Sequence, residues 1–209
     1  AIKAIKKMKS FHKDLKSLME ENGFNLLNNL GRRNILMSEA QEKFFSDVLS
    51  ESHDVICDGR TGEPDIFIQD IDKELECKIT SPHKSGTIAF QTDYETLEKK
   101  KKLDYLYVVA DADFESFAVV HYRDLTVKDF RPLSSGARGK TQLKKHAAHD
   151  RANVLVGKMI DINSNEIDKL NKKLLECKTP GQKRKIEKSL AYWTKTPTKY
   201  KIQMEGIGD

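Results

Sequence analysis

Asp65, Glu76 and Lys78 lie within one stretch, EPDIFIQDIDKELECKITS from Glu63 to Ser81, and together could act on a phosphate. Glu74 to Thr80 alternates charged and apolar residues, which is the period of a β-strand. The alternation sends Leu75, Cys77 and Ile79 to one face and Glu74, Glu76 and Lys78 to the other. Asp65 opens the apolar run Ile66–Ile68, and a polar turn at Asp70–Lys73 folds the two runs into a hairpin. This pairing predicts that Asp65 and Glu76 converge within reach of one divalent ion. Mg2+ favours one or two carboxylates with waters and phosphate oxygens, and the carbonyl of Cys77 offers a further hard oxygen. An ion held there would lower the pKa of a bound water and neutralise charge developing on phosphorus. Lys78, a point charge beside it, would orient or help deprotonate the attacking water and stabilise the phosphorane-like transition state. A solvated strand face with an ordinary Glu–Lys pair would alternate in the same way, so the surrounding elements must decide.

Those elements read as a mixed α/β chain. Ile5 to Glu21 has Ile5, Met8, Phe11, Leu15 and Leu18 at helical spacing, and Gly23 ends it. A loop with Gly31, Arg32 and Arg33 follows, then a second helix from an N-cap at Ser38 through Leu49, with Phe44, Phe45, Val48 and Leu49 as its apolar stripe. Val55–Cys57 and Ile66–Ile68 are short strands around a Gly59–Pro64 loop. Ser81–Gly86 is a loop, and Asp93 to Lys102 a helix. LDYLYVVAD and SFAVVHY carry the strongest strand signals, the first almost continuously apolar, as buried strands are. LTVKDF is expected to begin another helix. Beyond Arg131-Pro132, LSSGARGKTQLKKHAAHDR is small, flexible and basic, and NVLVGKMIDI returns to strand. Asn163–Cys177 and Gln182–Trp193 form a helical hairpin broken at Pro180-Gly181, and Thr198–Met204 alternates like a strand.

With 209 residues, the chain can bury roughly 70% of its unfolded surface without a disulfide or zinc staple. Cys57, Cys77 and Cys177 are odd in number and widely spaced, which indicates neither a disulfide framework nor a zinc site. No run approaches the apolar length of a membrane span, and the first residues lack a signal peptide's apolar core. A reducing cytoplasm is the expected location, with no membrane partner. The net charge of +5 is unevenly spread: +5 over 1–36, −10 over 37–130, +6 over 131–158 and +4 over 159–209. An acidic centre between basic flanks fits carboxylates that hold cations within arms that hold a polyanion; solvated helix faces would give the same totals.

Pro64-Asp65, ten intervening residues, then Glu76-Cys77-Lys78 resembles the PD-(D/E)XK nuclease motif, whose superfamily includes type II restriction endonucleases, repair nucleases and junction resolvases. The family's core runs helix, three-stranded meander, helix, strand, and the order read above for Ser38–Tyr122 is similar. The resemblance covers roughly residues 35–125. It implies an α/β restriction-endonuclease-like core, a central mixed β-sheet flanked by helices, with basic N- and C-terminal additions at about 1–34 and 131–209 in one nuclease domain. It further implies a Mg2+-dependent, site-specific double-stranded DNA endonuclease, most like a type II restriction enzyme and acting as a homodimer. A homing, repair or junction-resolving nuclease, or a non-catalytic DNA-binding module, would share the fold. Asp65, Glu76 and Cys77 are then the metal ligands, and Asp65, Glu76 and Lys78 the catalytic residues. Many members add an acidic residue from the first core helix; Glu42 is the candidate, with Glu39 as its substitute, and Glu63 and Asp58 could also approach. Gln91 and Tyr94 loosely echo a Gln and a Tyr of some members.

The basic segment after Pro132 suits DNA on physical grounds. Gly136 and Gly139 permit close backbone approach, and Arg138 has the fork geometry for a guanine edge. Lys140, Lys144, Lys145, His146 and Arg151 suit phosphates; a mobile surface loop would have the same composition. His149 lies in the same setting, His121 is expected to pack at the end of a buried strand, and no Cys or His completes a zinc site near them. Lys183, Arg184, Lys185 and Lys188 in the C-terminal hairpin could clamp DNA or pack on a second subunit.

Overall fold

The computed structural model describes residues 1–57, 59, 64–136, 139–196 and 199–208. Two helices lead the chain, α1 (Ile2–Glu21) and α2 (Leu30–Leu49). α1 buries Ala4, Ile5, Met8 and His12, one stripe at three-to-four spacing. Phe11 and Leu18, expected in that stripe, lie 40% and 57% exposed on its flank. α2 begins eight residues before Ser38. Asn29 accepts a hydrogen bond from the Arg32 N–H, an N-cap that turns the expected Gly31–Arg33 loop into the helix's first turn. The longer helix buries Arg33, Met37, Ala40, Gln41 and Phe45, and its Phe44, Val48 and Leu49 pack partly buried against the same core.

Next come β1 (Val55–Ile56), β2 (Ile66–Ile68), β3 (Lys73–Thr80), β4 (Gln91–Asp93), α3 (Tyr94–Lys100), β5 (Leu103–Ala110) and β6 (Ser116–Leu125). β1, β2 and β3 form an antiparallel meander with Val55 opposite Ile68 and Ile66 opposite Leu75. β5 then lies parallel to β3, from Leu75–Asp104 to Thr80–Val109, and β6 returns antiparallel to β5. Downstream are β7 (Lys140–Gln142), α4 (Lys145–Asp150), β8 (Ala152–Val156), β9 (Lys158–Asp161), α5 (Ile162–Glu176), α6 (Pro180–Lys195), β10 (Tyr200–Gln203) and β11 (Glu205–Gly206). β8 and β11 both pair with β6, completing a mixed sheet ordered β1-β2-β3-β5-β6-β11. The protein is thus α/β, with a central mixed sheet flanked by helices.

β5 is buried along its whole length because both of its faces are covered. Leu106, Val108 and Ala110 join Ile5, Met8, Met37 and Phe45 in the core under α1 and α2. Tyr105 and Tyr107 face an aromatic layer, with the Phe90 ring 4.9 Å from Tyr107 and Phe130 5.9 Å from Tyr105. Each such side chain contributes roughly 1.5–3 kcal/mol by burial. The tyrosine hydroxyls find partners as they go under: Tyr107 donates to the Gln91 carbonyl and Tyr122 to that of Ala148. β4 and α4 are thereby tied to this face.

Two downstream expectations change. Val127–Asp129 is a single 3-10 turn held by a capping box between Thr126 and Asp129, not the start of a helix. The basic segment expected to be flexible contains β7, which pairs with β4 (Thr92 opposite Thr141), and α4. Burial of Thr141, Leu143 and Ala147 orders it despite its polar composition.

The chain divides into two compact units, Ala1–Lys158 with Met204–Asp209, and Met159–Gln203. In the second, α5 and α6 form the hairpin, and β9 pairs with β10. Asn163 at the start of α5 donates to the carbonyls of Trp193 and Thr196, and accepts from the Lys199 N–H. Among the described residues no helix is long and apolar enough to cross a membrane.

Candidate active site

The β2–β3 hairpin opens at Asp65. Ile66–Leu75 is the last ladder pair on that side, and Pro64, which has no N–H, precedes it. One step further along, the Asp65 and Glu76 carboxylates both come within reach of the Lys78 ammonium. Where the strands part, Asp65 Oδ2 accepts the backbone N–H of Cys77 at 2.7 Å. The carbonyl of a strand residue leaves on the same side as its N–H, which puts the Cys77 oxygen on this edge as well.

Lys78 closes the group. Its Nζ donates to Glu76 Oε1 at 2.6 Å and lies 3.8 Å from Asp65 Oδ2. A single cation is therefore held between the two carboxylates. Burial raises the Glu76 pKa, with Asp65 adding to the rise and Lys78 opposing it. Burial works against the Lys78 charge, but Glu76 and Asp65 outweigh it, so its pKa is raised. Lys78 is a cation at neutral pH, suited to hold and orient rather than to abstract a proton.

Glu42 on α2 feels the charges of the group. Burial, then the Asp65 carboxylate, lift its pKa to about 7 against the pull of Lys78, with Glu76 and Glu39 adding to the rise. Two carboxylates of the sheet thus meet Lys78, Glu42 of α2 is coupled to them electrostatically, and Glu39 is exposed. Asp58 and Glu63 lie outside the described residues. Among the described residues, no three His, Cys, Asp or Glu side chains are gathered as a ready metal cage. The donor set still fits Mg2+, which needs only one or two carboxylates and takes its remaining oxygens from water and substrate; the two carboxylates that converge on the Lys78 ammonium are of that kind.

The walls of the group were not evident in the sequence. In the parallel register Glu76 lies beside Tyr105 and Lys78 beside Tyr107, and this aromatic layer is what desolvates them. The tyrosines' two-residue spacing within LDYLYVVA was the available signal. Two residues beyond Lys78 begins a cleft of about 370 Å³ lined by Asn34, Thr80, Ser81, His83, Lys84 and Gln91 among others. Arg33, fully buried, braces it by donating to the Asp111 and Ala112 carbonyls, Asn34 Oδ1 and Ser81 Oγ. Gln91 begins β4 rather than a helix, and Tyr94 is the first residue of α3.

The expected DNA contacts divide. Lys145 and His146 are exposed on α4, and Lys140 is exposed on β7 opposite Asp93. Lys144 donates to the Lys128 carbonyl. Arg151 is engaged within the fold: it pairs with Asp129 at 2.8 Å and donates to the Arg123 and Asp124 carbonyls. Arg138 lies outside the described residues. His121 has Nε2 3.3 Å from Asp104 Oδ2; opposite Leu106, it leaves the sheet on the face away from Glu76 and Lys78. In comparisons with known proteins, no family model and no curated protein matches the chain.

Proposed function

We propose that the protein is a Mg2+-dependent double-stranded DNA endonuclease of the PD-(D/E)XK type, with a restriction-endonuclease-like core. The observation that carries this reading is the convergence of Asp65 and Glu76 on Lys78 where the β2–β3 hairpin opens. The order α2, antiparallel meander β1–β3, α3, β5 supports it, since it follows the helix, meander, helix, strand order that the motif implies. A wet strand face would leave these side chains in solvent, whereas Glu76 is 9% exposed.

Asp65, Glu76 and the Cys77 carbonyl would hold the ion, which supplies charge to the phosphoryl oxygens and acidifies water. Lys78, released from Glu76, donates a hydrogen bond to the attacking water and so aligns it with phosphorus, opposite the departing 3′ oxygen. Its fixed positive charge also stabilises the extra negative charge of the pentavalent transition state. Glu42, whose raised pKa leaves it about half ionised at pH 7, is the auxiliary carboxylate. A homodimer would place one such site on each strand of a palindrome.

Digestion of a long mixed-sequence DNA with and without Mg2+, beside Asp65→Ala, tests the reading. Discrete Mg2+-dependent fragments absent from the variant are expected. A smear would point to a non-specific or repair nuclease, discrete cuts only in branched DNA to a junction-resolving one, and binding without cutting would overturn the catalytic assignment.

A further inference from the structure

The second unit carries a helix with one face turned away from its own fold. None of the described residues of α6 is fully buried. Ile186, Leu190 and Trp193 are half-buried at spacings of four and three, which makes theirs the inward face. The opposite stripe, at steps of four, four and three, is Arg184, Lys188, Tyr192 and Lys195, all exposed, with Tyr192 58% exposed. Among the described residues no carboxylate pairs with Arg184, Lys188 or Lys195, whereas Lys169 on α5 is paired with Glu166. Glu187 lies off the stripe, one turn after Lys183.

We infer that the Arg184–Lys188–Tyr192–Lys195 face of α6 is a docking surface for the phosphate backbone of double-stranded DNA, built from three unpaired cations and one exposed aromatic ring. The inference rests on the nuclease reading only for the choice of duplex DNA as the polyanion. The stripe is about 16 Å long at 1.5 Å per residue, a length over which a duplex carries about nine charges. An anionic membrane would ask for apolar side chains on the presented face, but here Ile186, Leu190 and Trp193 are turned inward. A second copy of the chain would meet the same uncompensated cations. Phosphate contacts of this kind give affinity without reading sequence, so the face would hold DNA for a recognition site elsewhere.

The full-length chain with Arg184, Lys188 and Lys195 all changed to Gln, which keeps helix propensity, is titrated with a fluorescent 30-base-pair duplex in EDTA at several salt concentrations. An affinity loss of at least tenfold is expected, with the salt-dependence slope smaller by roughly 2–3, because each lost phosphate contact removes about 0.9. A circular dichroism melt checks that the variant is folded. Tyr192→Ala reports the ring separately. Equal affinity and slope in the folded triple variant overturn the inference, even if Mg2+-dependent cleavage stands. Lost binding in the triple variant of a chain that never cleaves would uphold the docking face and defeat the nuclease reading. A changed sedimentation coefficient with unchanged DNA affinity would assign the face to a second copy instead.

Discussion

The Asp65 carboxylate accepts the backbone N–H of Cys77 at 2.7 Å and so takes the place of the strand carbonyl that ends with the β2–β3 ladder. One side chain thereby does two separable things: it satisfies a buried donor and it supplies a negative charge. Asp65→Asn keeps a carbonyl oxygen for the N–H and removes the charge, whereas Asp65→Ala removes both. The Asn variant should melt within a few degrees of the unaltered protein yet lose cleavage by a factor of 100 or more. The Ala variant should lose cleavage and in addition about 1–3 kcal/mol of stability from the orphaned donor. Thermal melts and a plasmid-nicking assay on the pair check both halves. An Asn variant that still cuts would remove Asp65 from the chemistry.

Lys78 separates two carboxylates that would otherwise repel. Lys78→Met should abolish cleavage while leaving duplex binding within threefold, since the stem packs and only the ammonium is lost. Lys78→Arg should not restore activity, because the planar fork cannot occupy the place of a compact point charge 2.6 Å from Glu76. Single-turnover cleavage with saturating enzyme separates the chemical step from binding. Full activity in the Arg variant would mean that any cation serves.

How much of this was legible in the sequence depends on the range of the interaction. The meander, the faces of β3 and the positions of Asp65, Glu76 and Lys78 follow from period-two alternation, which is local. The start of α2 does not, because Ser38 and Asn29 are both good N-caps, and tertiary burial of Arg33 and Met37 selects the earlier one. Nothing near Arg33 in the chain foretells that its guanidinium will reach Asp111 and Ala112, some eighty residues on. In the same way, Arg151 and Lys145 look equivalent within a basic run, and only the fold shows that one is engaged and the other exposed.

His12 should make stability depend on pH. It is 3% exposed, stacked on Phe114 with ring centroids 4.4 Å apart, and its buried Nε2 finds no hydrogen-bond partner among the described residues. Burial first, then the Arg33 and Lys16 charges, depress its pKa to about 4. Its ordinary value is near 6.5, so between these values the unfolded chain binds the proton and the folded one does not. The contribution is complete above about pH 6.5 and declines as pH falls, reaching a loss of about 3 kcal/mol near pH 4. Urea denaturation from pH 7.5 to 4.5 on the unaltered chain and His12→Phe should diverge steadily, with the variant flatter. Parallel curves would show that another group controls the acid limit.

The basic segment offers the sharpest contrast between holding the fold and holding a ligand. Arg151 pairs with Asp129, itself the capping-box residue of the Val127–Asp129 turn, and bonds two carbonyls at the end of β6. Lys145 and His146 sit exposed on α4. Arg151→Ala should therefore cost stability, about 1–3 kcal/mol for a multiply bonded charged group, or a melting point lower by roughly 2–12 °C in a chain of this size. Lys145→Ala with His146→Ala should leave the melting point unchanged and reduce the affinity for duplex DNA, more at low salt than at high. Measuring melting point and duplex affinity on both variants gives a crossed pattern if the two roles are distinct. If Arg151→Ala melts normally but loses DNA, its bonds to Asp129 and β6 give way to phosphate, and the whole segment acts as one DNA-binding surface.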